Sequence, residues 1–310
     1  MKITRKSIVG LFVAGGVLAT ACSSENDFPV DGDNTQILLS SKVDMQTRNT
    51  LQDEQIENNE HVGLFITKAS SLSDVLYDNE DMIANGNGGF SHSPMYYPVS
   101  NENIDLYAYH PFTNGVTVNG DLSFTLPTDQ TVLSNFLNSD LLFSKKPNVA
   151  KSHNKIAMVF NHKLAKLNFT IIEGDGMDLS GLSNIDVINV LPNVDMNLNT
   201  GVLASTTGSP VTVNAYGVQG VAQGETEVSG IAAIVTPQVF AANQKLFKIV
   251  VNGGTPNEVV YNYTPKAPVA IEAGKKYNII LTVNQAGIEI SSSIEDWNTG
   301  DPIIGEGTME

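Results

Sequence analysis

The chain is poor in cysteine and arginine, and each shortage excludes a class of structure or partner. Cys22 is the only cysteine among 310 residues, so no intrachain disulfide can form and the folded parts depend on their own cores. The only arginines are Arg5 and Arg48, and the formal net charge is -16. Binding to nucleic acid needs clustered lysine and arginine, so this charge balance excludes a nucleic-acid partner.

The single cysteine follows a segment that is organised like a bacterial lipoprotein signal. A basic start and an apolar run at residues 8–18, too short to span a bilayer, lead through three small residues to Cys22. We predict that residues 1–21 are a signal peptide and that Cys22 carries a diacylglycerol and a further acyl chain such as palmitate, which together hold the protein on a membrane. The alternative is an ordinary signal peptide cut nearby, which would leave a free thiol.

Removing residues 1–21 takes away three positive charges and no acid, which changes the net charge from -16 to -19. The polar stretch at residues 23–35 is then a solvated spacer. Residues 36–45, called here the first strand, alternate with the period of a half-buried strand, apart from the apolar Leu38. The residues predicted to face inward are Ile37, Leu39, Val43 and Met45, and those predicted to face outward are Ser40, Lys42 and Asp44.

Arg48 lies between the first strand and a polar stretch without a strong period. Once the signal is removed it is the only arginine, so an arginine-specific protease would have a single cleavage site, between Arg48 and Asn49, next to an accessible loop. The alternative is that Arg48 is an ordinary solvated cation.

The rest of the chain consists of short runs rich in β-formers, separated by Gly, Asn, Ser, Thr and Pro. No long helical pattern follows the signal. We predict an all-β protein with two β-sandwich domains in series, at residues 49–165 and 166–310, after a segment at 22–48 that holds the spacer and the first strand.

The sequence offers no constellation typical of an enzyme, a metal site or a cofactor site. The five histidines are far apart, no Gly-x-Ser-x-Gly motif is present, and the one cysteine is assigned to lipid. The carboxylates are numerous, but nothing selects a catalytic pair among them. The aromatic spot at residues 94–98 is interpreted as packing, and a ligand surface at Tyr96 or Tyr97 is the alternative.

Together these features resemble the fimbrillin family, the type V pilins of Gram-negative anaerobes. The resemblance extends over nearly the whole chain, although none of its motifs is catalytic. It is carried by the lipoprotein signal, by Thr47-Arg48 before a polar loop, and by the segments at residues 62–65, 104–112, 140–143, 160–167 and 273–297.

The resemblance implies transthyretin-like sandwiches and a lipoprotein precursor in the outer membrane. An arginine-specific protease would remove the first strand, and the emptied groove would accept a strand from another subunit, either a second copy or a minor fimbrial subunit. The resulting surface fimbria would bind host or bacterial surfaces. The alternative is an anchored lipoprotein that binds a glycan or another ligand. Candidate donor residues near the C-terminus are Ile288, Ile290, Ile294, Ile303 and Ile304.

Overall fold

The structure is a computed structural model, and it describes residues 34–43, residues 55–297 and the short strand 303–305. The predicted all-β class is confirmed, because within these ranges a single short helix interrupts a series of strands. Along the first half of the chain the elements are β1 (Leu39–Val43), β2 (His61–Lys68), β3 (Val75–Ala84), β4 (Phe90–Ser91), β5 (Ile104–His110), β6 (Asp121–Thr125), α1 (Leu133–Asn138), β7 (Leu142–Val149) and β8 (Ile156–His162).

In the described residues of the second half, the regular elements are strands alone. They are β9 (Ala165–Glu173), β10 (Leu182–Val190), β11 (Asn193–Asn197), β12 (Val211–Asn214), β13 (Glu227–Val235), β14 (Gln238–Phe240), β15 (Phe247–Val251), β16 (Val259–Tyr263), β17 (Val269–Ile271), β18 (Lys275–Asn284), β19 (Gly287–Asp296) and β20 (Ile303–Gly305).

The first large sheet has seven strands in the order β1-β8-β7-β5-β2-β3-β4. Strand β2, in the interior of this sheet, is buried on both faces, since residues 62–67 are all buried. Leu64 and Ile66 belong to one hydrophobic core together with the buried residues of β1. Phe65 points to the other face of the sheet and belongs to a second core, which also contains most of the buried apolar residues after position 163. The sheet therefore separates two hydrophobic cores.

The second half forms a sandwich of a five-stranded sheet, β13-β9-β18-β19-β20, and a four-stranded sheet, β12-β10-β15-β16. Phe169 on β9 meets Phe247 on β15 edge-on, with ring centroids 5.3 Å apart, so the two sheets share the interior. Across the expected boundary at 165/166, β6 pairs with β11. The division into two domains remains a prediction.

Candidate functional site: the groove filled by the first strand

One edge of β1 runs parallel to β8 and is hydrogen-bonded to it. The register places Leu39 opposite Ile156 and Val43 opposite Phe160. The Ile156 amide also donates to the Leu38 carbonyl at 2.8 Å, which extends the contact toward the start of the strand. The backbone groups on this edge of β8 are therefore satisfied by the first strand.

The opposite edge of the first strand is also paired, with the segment at residues 88–97. The Ile37 amide donates to the Met95 carbonyl at 2.8 Å, and the Ser41 amide donates to the Gly88 carbonyl at 2.9 Å. The first strand thus lies between β8 and residues 88–97 and fills the gap between them. We call this gap the groove.

The inward face of the first strand completes the core on one side of the sheet. Ile37, Leu39 and Val43 have relative exposures of 0%, 6% and 1%. They belong to the same buried cluster as Leu64 and Phe160. Covering three aliphatic side chains of this kind is worth roughly 5 to 8 kcal/mol before chain entropy is subtracted. On the outward face Lys42 is exposed and Leu38 and Ser40 are half-buried.

The third inward position is polar. Ser41 lies opposite Met158, which is fully buried, and follows Leu39 on the inward face. Its hydroxyl oxygen is buried and has no hydrogen-bond partner. A buried hydroxyl without a partner costs stability, so Ser41 is the one unfavourable position in the row formed by residues 37, 39, 41 and 43.

Two titratable groups near the groove have pKa values that burial shifts. Burial raises the pKa of the Tyr97 hydroxyl, on the strand-like segment that pairs with the first strand. Near the far end of β8, burial lowers the pKa of the Lys163 ammonium, whose nitrogen lies 5.4 Å from the centre of the Phe143 ring. The chemistry that this site offers is therefore strand pairing and apolar burial.

The candidate donor residues lie at the edge of the five-stranded sheet. β19 pairs with β18 along its whole length, with Ile288 buried and Ile290 and Ile294 half-buried against the second core. Ile303 and Ile304 belong to β20, which pairs with residues 292–294 of β19. Whether any of these residues is donated remains a prediction.

Several predicted site residues lie outside the part of the chain that the structure describes. These are Cys22, Met45, Arg48 and Asn49. Within the described residues, no three His, Cys, Asp or Glu side chains are placed to hold a metal ion. No helix in those same ranges has the length and apolarity that crossing a membrane requires.

Sequence reasoning did not identify two parts of the groove. It assigned residues 94–98 to packing without placing them beside the first strand, and it did not assign a face to Ser41. Strict alternation from Ile37 would have placed Ser41 inward. No local signal places residues 88–97 next to β1, because that pairing joins segments far apart in sequence.

Comparison with known proteins gives consistent results. A family model described as fimbrillin-like matches residues 47–297. A candidate fimbrium subunit of Bacteroides uniformis, Fim1C, is 26% identical over 307 residues, which cover 92% of this chain and 93% of that protein.

Solved structures share the fold. The crystal structure of a candidate cell adhesion protein from Bacteroides uniformis has a TM-score of 0.65 at 24% identity and covers 87% of this chain and all of that chain. The tip fimbrial protein Mfa3 from Porphyromonas gingivalis, truncated at its C-terminus, has a TM-score of 0.51 at 10% identity, with 85% of this chain and 99% of that chain covered.

Proposed function

Because this chain belongs to the fimbrillin-like family, we propose that it is a structural subunit of a surface fimbria that assembles by strand exchange after a proteolytic cut. The observation that carries the proposal is that the first strand is paired on both edges and buried on one face. Such a strand behaves as a replaceable insert, since everything that it covers would accept another strand.

Loss of the first strand would change the surface in two ways. It would expose an apolar slot lined by Ile156, Met158 and Phe160, all buried in this structure. It would also leave the backbone groups of β8 and of residues 88–97 without partners, which favours addition of a new strand. An exchange of this kind joins two different surfaces of neighbouring subunits, so it propagates into a fibre instead of closing into a dimer.

The trigger in this proposal is a cut after Arg48, the only arginine beyond the signal. Cleavage between Arg48 and Asn49 by an arginine-specific protease would leave the first strand bound only by non-covalent contacts. A donor strand present at high local concentration would then compete with the first strand for the backbone pairing at both edges and for the apolar contacts of its three aliphatic side chains.

The donor in this proposal comes from the C-terminal part of another subunit, either a second copy or a minor fimbrial subunit. β19 and β20 form the edge of their sheet, so their removal does not split the strands that remain. The candidates are the alternating isoleucines of β19, which are Ile288, Ile290 and Ile294, and the pair Ile303 and Ile304 of β20.

Before assembly, Cys22 would hold the precursor in the outer membrane through its lipid, and the cut would release the subunit into the surface fimbrium. Adhesion to host or bacterial surfaces then follows from display on the fibre. The fimbrillin-like family consists of structural and adhesion proteins, so we propose no catalytic role and no cofactor.

The direct test is N-terminal sequencing of the protein recovered from filaments sheared off the cell surface. We expect the sequence to begin at Asn49. A chain that still begins at Cys22 would contradict strand exchange and favour a permanently anchored protein that binds a ligand.

A further inference from the structure

One part of this acidic chain carries positive charge without any acid. Residues 141–172 contain six lysines and no aspartate or glutamate, although the formal net charge of the chain is -16. They include β7, β8 and most of β9. A concentrated positive surface on an otherwise negative protein indicates an anionic partner for that surface.

Two lysines of neighbouring strands lie on the same exposed face of the first large sheet. Lys42 of β1 is the register partner of Val159 of β8, and both side chains point away from the core that lies behind these strands. Lys145 of β7 is the register partner of Tyr107, and its Nζ atom lies 5.0 Å from the centre of the Tyr107 ring. Since Tyr107 belongs to the second core, Lys145 is on the face that also carries Lys42 and Val159.

Lys163 and Val202 extend this face. The Nζ atom of Lys163 lies 5.4 Å from the centre of the Phe143 ring, which also belongs to the second core. The turn that precedes Val202 packs against the same ring, because a Cβ atom added to Gly201 would lie 2.2 Å from one of its carbon atoms. Val159 and Val202 are 40% and 64% exposed. We call the surface formed by Lys42, Lys145, Lys163, Val159 and Val202 the basic face.

Acids of the described residues do not neutralise the basic face. Lys42 and Lys163 make no ion pair among those residues, and Lys145 donates a hydrogen bond to the amide oxygen of Asn199 at 3.2 Å. Burial lowers the pKa of the Lys163 ammonium, and no neighbouring carboxylate opposes that shift. Lysines elsewhere in the described chain do pair with carboxylates, and these are Lys68, Lys248, Lys275 and Lys276. The positive charge of the basic face is therefore available to a ligand.

We propose that the basic face contacts phosphate-bearing headgroups of the membrane that holds the lipid anchor, so that the uncut protein lies on its membrane with this face down. Ammonium groups beside exposed aliphatic side chains suit the interface of an anionic bilayer. Residues 23–35, between Cys22 and the first strand, would span ~20 Å as the solvated spacer that their composition predicts, so the anchor leaves the face free to reach the surface. The choice of a membrane rests on the proposed lipid anchor.

Screening and processing both fit this orientation. At physiological ionic strength, charges more than about 8 Å away are largely screened, so the acids elsewhere on the protein oppose the contact less than their number suggests. Three lysines orient a body that the lipid holds, and they do not replace the lipid. Lys42 lies on the first strand, so the cut after Arg48 would remove the lipid and one of the three lysines together.

The experiment measures sedimentation with vesicles at low salt, using the uncut mature chain with Cys22→Ala so that no lipid is attached. Vesicles of phosphatidylcholine with phosphatidylglycerol should bind the protein, and vesicles of phosphatidylcholine alone should not. Lys42→Gln combined with Lys145→Gln should weaken binding by more than about tenfold, since each lysine near an anionic surface contributes about fivefold. The matched control is Lys146→Gln combined with Lys245→Gln, which should change binding by less than about twofold.

The control removes the same charge away from the basic face. Lys146 is the register partner of Leu106 on the opposite face of the sheet, and Lys245 is an exposed residue before β15. Equal losses in the two double variants would overturn the basic face, and so would binding to the anionic vesicles that persists in high salt. Binding to soluble dextran sulfate without binding to anionic vesicles would overturn the membrane as the partner. Failure of the proposed function has a different signature, namely surface filaments whose subunits retain residues 22–48, and it leaves vesicle binding unchanged.

Discussion

The indole ring of Trp297 stacks on the imidazole ring of His162, with centroids 3.8 Å apart and ring planes 7° from parallel. His162 is the last residue of β8, the strand that forms one edge of the groove, and Trp297 directly follows β19. His162 is also held by Asp140, with its ring Nδ1 2.8 Å from the carboxylate. The stack therefore joins the groove to the end of the candidate donor strand.

The first prediction concerns this stack. Trp297 is 1% exposed, and Trp297→Ala should lower the free energy of unfolding by about 3 to 5 kcal/mol through loss of burial and a cavity. Trp297→Phe should cost distinctly less, because it keeps an aromatic ring against His162. Urea unfolding followed by circular dichroism measures both, and a loss under about 1 kcal/mol in Trp297→Ala would contradict the packing.

The second prediction concerns the inward face of the first strand. Leu39→Asp would bury an unpaired charge and should destabilise the uncut chain by several kcal/mol. Lys42→Asp, on the exposed face, should change stability by about 0.5 kcal/mol or less. Thermal unfolding of the two variants measures these changes. Equal losses of stability would mean that this segment is held by its backbone pairing alone and that its inward face is not buried.

The third prediction concerns processing. Arg48→Ala and Arg48→Lys should both leave the first strand attached and stop fibre growth, because neither retains the arginine that the protease requires. The lysine variant is the matched control, since it preserves the charge. Filament yield and the N-terminal sequence of the subunits are the measurements, and normal filaments that begin at Asn49 in either strain would refute the cut.

The fourth prediction concerns the anchor. Cys22→Ala should remove lipid attachment, so the protein should no longer fractionate with membranes or incorporate labelled fatty acid. Cys22→Ser tests the same thiol with a closer match in size and polarity. Unchanged partitioning of both variants would end the lipoprotein interpretation.

The fifth prediction concerns alkaline pH. Burial raises the pKa of both Tyr107 and Tyr109 to about 12, from an ordinary value of 10. Between pH 10 and 12 the unfolded chain loses these protons while the folded chain keeps them, so stability should fall as pH rises through this window. Each tyrosine should contribute on the order of 1 to 2 kcal/mol.

The tyrosine contributions can be separated by substitution. The Tyr109 hydroxyl donates to the Thr113 carbonyl at 2.9 Å, and Tyr109→Phe should make the loss between pH 10 and 12 less steep although it lowers stability at neutral pH. Urea midpoints at several pH values measure the slope. A slope identical to that of the unchanged chain would contradict the assignment to Tyr109.

How much of this fold can be predicted from sequence depends on how local the signal is. β1, β18 and β19 alternate with period 2 because one face meets a core and the other is more exposed, so their existence and facing residues could be predicted. β3 is a strand that alternation does not identify, because the polar residues 78–81 occupy its middle and only Met82 and Ala84 are buried. The missed strand shows that alternation is visible only where burial is strong.

The sequence by itself determined the all-β class, the family and the inward face of the first strand, since these follow from local periodicity and short motifs. Tertiary structure alone decided that β1 runs parallel to β8, that residues 88–97 form the second wall of the groove, and that Trp297 stacks on His162. The physical reason is that alternation records only whether a side chain faces water, whereas pairing and register depend on contacts between segments that the chain brings together only when it folds.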